Sequence, residues 1–410
     1  MGQHHFVFRY YLAAIGLSNL AMGLHMVLYP WLVVGILQES PGKLGLAQMA
    51  VLLPNLLFIL PGGVASDRRH RGSWLSRLYL LYLFPIAILM GSAVTGELSF
   101  SLILMFGMMF GSITAFVQPA RESLLGFTPA GVMHQAVAKV TVVQFLAQSA
   151  GFMVAGQLTK TGLVPLFIGQ IVLFLASFFL IRRSHPEISG AVDRRPVSEM
   201  PGETWKDTGD GLKLFWNDRR LLHLLILVTA TGFLAFGVYL VGMPLLVLEG
   251  YQGGASLFAA LQLIFTLGIV SSNVQMMKRD KLFRRPGRLI ISSLLLRGGL
   301  LAMIALLPPL WLLFPLVYVW GFLSGISMNL GRTILHNQVE QSYRARAASV
   351  YQLCLFGSTP LGAWLSGVVI GQVGLSQALI GFAAITVLFS LLIALVSPLW
   401  RVRSEAEASI

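Results

Sequence analysis

The chain has 410 residues, 56% hydrophobic and only 11% charged, with a mean hydropathy of +0.77. Soluble chains carry roughly 25% charged residues, so the surfaces that two or three soluble domains would need cannot be built here. The formal charge of +13 calls for a membrane reading before a nucleic-acid one, and the single cysteine, Cys354, excludes an intrachain disulfide or a multi-cysteine metal site.

A bilayer core takes about 20 apolar residues per helix. On that rule spans fall near 10–37, 44–66, 75–94, 99–118, 136–158 and 163–181. A second set follows near 221–248, 255–277, 289–307, 311–329, 347–370 and 375–398. The first run is far longer than a signal-peptide core and lacks a small-residue cleavage pattern, so it is read as a retained span. Between the sets lies a polar stretch, 182–220, read as a solvated linker with a short amphipathic helix around 204–216. The expected fold is an all-α integral membrane protein of twelve transmembrane helices in two pseudo-symmetric six-helix bundles. Its expected parts are an N-terminal bundle (1–181), a cytoplasmic linker (182–220), a C-terminal bundle (221–398) and a cytoplasmic tail (399–410).

Placing both termini in the cytoplasm puts every Lys and Arg on that side except Lys43 and Lys160 outside and Arg297 within a span. This is the positive-inside asymmetry, and it accounts for the basic pI without a nucleic acid. A multi-pass protein of the bacterial inner (plasma) membrane, monomeric, in contact with lipid headgroups, is the expectation.

The two sets also resemble each other in sequence. Arg121 in QPARESLL matches Arg332 in NLGRTILH, Gly151 matches Gly362 and Gly156 matches Gly367, each pair 211 residues apart. Parallel repeats related by an axis along the membrane normal place a working cavity between the halves near mid-membrane, the architecture of alternating access. The alternative is an old duplication kept for packing. Small residues spaced as Gly151, Ala155, Gly156, Gly362 and Gly367 are let helix backbones approach closely in lipid, so packing is their first reading.

Between the second and third spans stands Gly63-Val-Ala-Ser-Asp67-Arg68-Arg-His-Arg71. The spacing Gly-x-x-x-Asp-Arg-x-x-Arg resembles the loop 2–3 signature of the major facilitator superfamily. The stretch Gln118-Pro119-Ala120-Arg121-Glu122 resembles a subgroup containing the enterobactin exporter and macrolide efflux pumps. Departures are His70 where family members often carry Gly, Gly72 where they carry a basic residue, and Phe152 where many exporters have Pro in the fifth span. The basic residue that many drug exporters place inside the fourth span is missing as well. The resemblance implies secondary active transport by alternating access, with export of a small amphipathic or anionic compound (drug, siderophore or metabolite). A lipid or lysolipid translocator and a solute importer of the same fold are the alternatives.

The resemblance also assigns Gly63, Asp67, Arg68 and Arg71 to a conformational latch at the cytoplasmic face. A carboxylate among arginines can hold a helix N-terminus or a neighbouring guanidinium and release it. Arg121 and Arg332 are candidate partners. The other reading is that these arginines only set topology and touch lipid phosphates.

All 16 acids lie in loops or at span ends, so no mid-span carboxylate offers itself as a proton carrier. The deep ionisable residues are His25 and Arg297. His25 could carry a proton or simply pack. Arg297, roughly 12 Å deep at 1.5 Å per residue, could oppose an anionic substrate or serve as a structural guanidinium. Asn19, Gln144, Gln148 and Asn329 complete the candidate substrate and proton cavity. A membrane enzyme would need clustered acids and histidines, whereas His134, Glu122 and His336 are scattered; no P-loop is present either. No enzyme activity, cofactor, metal or nucleic acid is expected, and the partner is a small molecule, with proton coupling left open.

Overall fold

The computed structural model describes residues 2–68, 71–126, 133–184, 215–216, 218–278, 285–339 and 343–401, with side chains for all but 2–7, 59–71, 134, 336, 344–346 and 401. Every backbone polar group in hydrocarbon must be satisfied within its own segment, so apolar runs of this length become helices. Among the described residues, eleven helices are long and apolar enough to cross a membrane: α1 (Phe8–Ile36), α3 (Gly72–Thr95), α4 (Phe100–Leu125), α5 (Gln135–Ala155), α6 (Leu163–Arg183), α7 (Arg219–Gly250), α8 (Ala255–Lys278), α9 (Pro286–Ala305), α10 (Leu310–Leu335), α11 (Ala347–Val373) and α12 (Leu375–Val396). Between the first two stands α2, a 28-residue helix over Pro41–Arg68. This is the all-helical membrane fold expected from the hydropathy.

Two helices outrun their apolar cores. α4 continues to Leu125, and α10 to Gln338. The apolar criterion marks only the stretch in hydrocarbon, whereas the helices run on beyond it through QPARESLL and GRTILHNQ. Arg121 and Arg332 therefore stand on helices, one turn beyond the apolar runs, rather than in loops.

The chain forms two compact units. The first comprises Met1–Glu39, Ala50–Pro196 and Gly253–Gln262; the second comprises Ser40–Met49, Val197–Gln252 and Leu263–Ile410. In the first unit α1 packs on α5 and α6, and α3 on α4 and α6. In the second, α7 packs on α11, and α9 on α10 and α12. The unit boundaries fall inside α2 and α8, so each of these helices begins in one unit and continues in the other.

The repeat read in the sequence is written in the backbone too. The six described residues with positive φ form three pairs: Gln38 and Gln252, Gly96 and Leu307, Gly162 and Gly374. The first pair is 214 residues apart, the others 211 and 212. π-turns close both α1 (Leu32–Ile36) and α7 (Leu246–Gly250), again 214 apart. The register between the halves therefore slips by three residues between Gln38 and Gly96. Within that stretch α3 spans 24 residues and is interrupted at Tyr82, whereas α9 spans 20.

Glycines set the closest helix approaches. A Cβ on Gly23 or Gly151 would press on the other helix's backbone, which fixes α1 against α5; Gly237 and Gly362 do the same for α7 and α11. In the first unit, Gly156 meets Ala259 and Ser256 at the start of α8. In the second, Gly367 meets Pro41 and Gly45 at the start of α2. Gly45 and Ala259 are 214 apart, as are Gln38 and Gln252, so both contacts belong to the same repeat.

Candidate functional site

In the first unit, polar chemistry gathers where α4 leaves its apolar run. Arg121 is only 8% exposed. Its Nε donates to the Tyr79 hydroxyl at 3.0 Å and its Nη2 to Ser18 Oγ at 3.0 Å. The Ser18 hydroxyl contacts that of Tyr79 at 3.2 Å, and the Tyr11 hydroxyl donates to the Arg121 carbonyl at 3.0 Å. The guanidinium carbon also lies 5.5 Å from the Tyr79 ring centroid, within cation–π range. Arg121 thus ties α1, α3 and α4 together. On the exposed side of α4 the Gln118 amide donates to Glu122, the residue after Arg121, at 3.0 Å.

One side of α1 is aromatic. His25 is 8% exposed and stacks on Phe110 at 3.8 Å between centroids, with Tyr29 and Phe106 at 5.3 and 5.7 Å. Tyr82 joins the same cluster, 4.6 Å from Phe110 and 4.5 Å from Phe174, and its hydroxyl meets that of Thr114 at 2.9 Å. The rings surround His25 with apolar faces, an environment that suits a packed imidazole. Asn19 turns inward and donates to its own helix at the Ile15 carbonyl, 2.7 Å away. Gln148 donates to the Met26 sulfur at 2.8 Å, and both Gln148 and Gln144 are half-buried on α5.

In the second unit, the Asn329 amide on α10 donates to Asn273 Oδ1 on α8 at 2.6 Å and to the Gly325 carbonyl at 3.0 Å. Both asparagines are half-buried. Arg332, one turn further along α10, is exposed. Arg297 is 2% exposed; its Nε donates to the Ser293 carbonyl at 3.2 Å and its Nη2 to Ser327 Oγ at 3.3 Å.

The structure thus groups Gln148 with Met26 in the first unit and Asn329 with Asn273 in the second, while Asn19, His25 and Arg297 are buried. Gly63, Asp67, Arg68 and Arg71 fall outside the described side chains, as 185–214 and 217 of the linker and 402–410 of the tail fall outside the described residues. Tyr11, Ser18 and Tyr79 were not legible as partners of Arg121, nor Ser327 as the partner of Arg297, because their separations in sequence carry no spacing signal. The only available hint was two tyrosines and a serine within otherwise apolar spans.

Twelve helices in a duplicated arrangement define a membrane transporter of the major facilitator fold. The chain belongs to the family described as Transmembrane secretion effector, whose profile matches residues 3–410. In structure it is similar to an auto-inhibited peptide transporter of the POT family, with a TM-score of 0.72 at 14% identity over 96% of each chain. It is similar also to the nucleoside transporter NupG, with a TM-score of 0.70 at 11% identity over 95% of this chain and 98% of that one. A D-xylose–proton symporter gives 0.69 at 13% identity over 96% and 98%. Identities this low show a shared fold alone. No curated protein matches the chain in sequence.

Proposed function

We propose that the chain is a secondary active exporter of small amphipathic compounds, working by alternating access from the bacterial inner membrane with both termini in the cytoplasm. The observation that carries export is the match to a secretion family along nearly the whole chain. The resemblance of the 63–71 loop and of 118–125 to the enterobactin-exporter and macrolide-efflux subgroup points the same way. Two six-helix bundles, 1–181 and 221–398, supply the moving halves, joined by the linker 182–220 and followed by the tail 399–410. The transporter acts as a monomer. Gln144, Gln148 and Met26 from α5 and α1, with Asn273 and Asn329 from α8 and α10, are the proposed substrate contacts. Half-buried amides with spare donors and acceptors beside a thioether suit ligands with one polar group on an apolar body. An anionic substrate would rest on Arg297, whose burial favours the amphipathic class instead. Asp67, with Gly63, Arg68 and Arg71, is the proposed latch, and Arg121 and Arg332 are its candidate partners.

The test is a compound screen in a deletion strain, followed by transport in everted vesicles from cells overproducing the protein. The expected result is energised uptake of an amphipathic dye or drug into everted vesicles, lost in Gln148→Ala and Asn329→Ala. Uptake only in right-side-out vesicles would make the protein an importer. Movement of a labelled lysolipid, with no effect on soluble compounds, would make it a lipid translocator.

A further inference from the structure

Arg297 presents a charge problem that its neighbours do not solve. Both its hydrogen bonds go to neutral acceptors, a carbonyl and a hydroxyl, and at 3.2 and 3.3 Å they are long for charge-assisted bonds, which run about 2.7–2.9 Å. Its third nitrogen, Nη1, is buried and makes no hydrogen bond among the described residues. A guanidinium does not shed its proton in a protein, so the charge stays and a buried, uncompensated one is costly. No acid of the chain lies mid-span to approach it.

α9 and the two helices packed against it carry several buried hydroxyls. Ser293, Ser324, Thr386 and Ser390, all buried on α9 and on α10 and α12 that pack against it, give their hydrogens to carbonyls of their own helices. Ser327 differs: it accepts from Arg297, and its own hydrogen meets no acceptor among the described residues. The Nη1 hydrogens and the Ser327 hydroxyl hydrogen are thus donors on two contacting side chains without an acceptor among the described residues. Donors without acceptors, a fixed positive charge and almost no accessible surface together select a ligand that is anionic and very small.

We propose that Arg297 and Ser327 hold a monovalent inorganic anion of halide size between α9 and α10, as the charge partner of the guanidinium. A bound water could take one of these donor hydrogens but could not neutralise the charge, so the two occupants make different predictions. The site is a resident one inside the second unit, separate from the contacts proposed for the transported compound.

Thermal unfolding of the purified full chain in detergent tests this, with sodium chloride, bromide or gluconate compared at equal ionic strength. A ligand held only by the folded state raises the midpoint saturably with its concentration. Chloride and bromide should raise it by a few degrees over gluconate; Arg297→Met should abolish the halide increment, and Ser327→Ala should shift it to higher halide concentration. Lys160→Gln, an exposed charge change, should leave it intact. Equal midpoints in chloride and gluconate, or an undiminished increment in Arg297→Met, would overturn the proposal in favour of water. Should Arg297→Met fail to fold, wild-type crystals grown in bromide decide: anomalous density within hydrogen-bond reach of Arg297 Nη1 supports the site, and its absence there refutes it.

Discussion

Gly23 and Gly151 face each other across α1 and α5 so closely that a Cβ on either would lie within about 3.0 Å of the other's Cα, and nearer still to a backbone carbonyl. In lipid the hydrophobic effect does not press helices together, so contact must come from surfaces that fit. Two glycines facing one another let both backbones supply that surface. Gly237 and Gly362 repeat the arrangement between α7 and α11.

A methyl group at these positions should therefore be felt. Gly151→Ala and Gly362→Ala are each expected to destabilise the folded protein by about 1–3 kcal/mol through overpacking. Gly169→Ala, where a Cβ meets nothing within 4 Å, should be neutral or slightly stabilising. Thermal midpoints of the purified variants check this; equal behaviour at the three positions would mean that the close approach is not stabilising.

The Arg121 network makes a second expectation. Tyr79→Phe and Arg121→Gln should each cost about 1.5–3 kcal/mol, because each removes a hydrogen bond to a charged group or strands its buried partner. The double variant should cost less than the sum of the two. Additive losses would show that the Tyr79 and Arg121 side chains act independently despite the 3.0 Å contact.

For the loop signature, Asp67→Asn should leave the amount of folded protein nearly unchanged while removing most transport. Counting transport per folded molecule separates this from a topology effect. Full activity in that variant would exclude Asp67 from the working cycle.

His25 is expected to behave as a packed ring. His25→Phe should be tolerated within about 1.5 kcal/mol as a roughly volume-conserving change, and His25→Ala should cost about 2–5 kcal/mol by leaving a cavity. If transport responds to an imposed pH gradient, that response should persist in His25→Phe. Its loss there, with the protein still folded, would instead make His25 the proton carrier, and Glu122→Gln is the next variant to try if the response persists.

Hydropathy made the helices legible because a lipid-embedded backbone has so few alternatives. It could not show where α4 and α10 end, since the helix continues where apolarity stops. Arg121 looked like a loop residue for that reason. Its tyrosine and serine partners stand 42 and 103 residues away in sequence, distances that no local pattern encodes. Glycine spacing revealed that Gly151, Gly156, Gly362 and Gly367 pack; it could not reveal that Gly156 and Gly367 receive the starts of α8 and α2.

The left-handed backbone positions provide another check. Gly374 caps the start of α12 with φ of 86°, and Gly162 does so for α6 with φ of 77°. Alanine at either should cost about 1–2 kcal/mol through the Cβ clash of that conformation. Gly381→Ala, inside α12 with ordinary φ and open space, should not. A melt of the three variants settles the comparison.

The three-residue slip in register lies across the stretch that contains α3 in one half and α9 in the other, where the two halves are no longer equivalent position by position. Before and after it the halves keep paired turns and paired glycine contacts. Within it, one half carries Tyr79 and Tyr82, which bond Arg121 and Thr114, while the other carries a buried Arg297 with serines. The third helix of each half is thus a private element on a common chassis. Tyr79 and Arg297 make contacts that have no counterpart at the matching position of the other half.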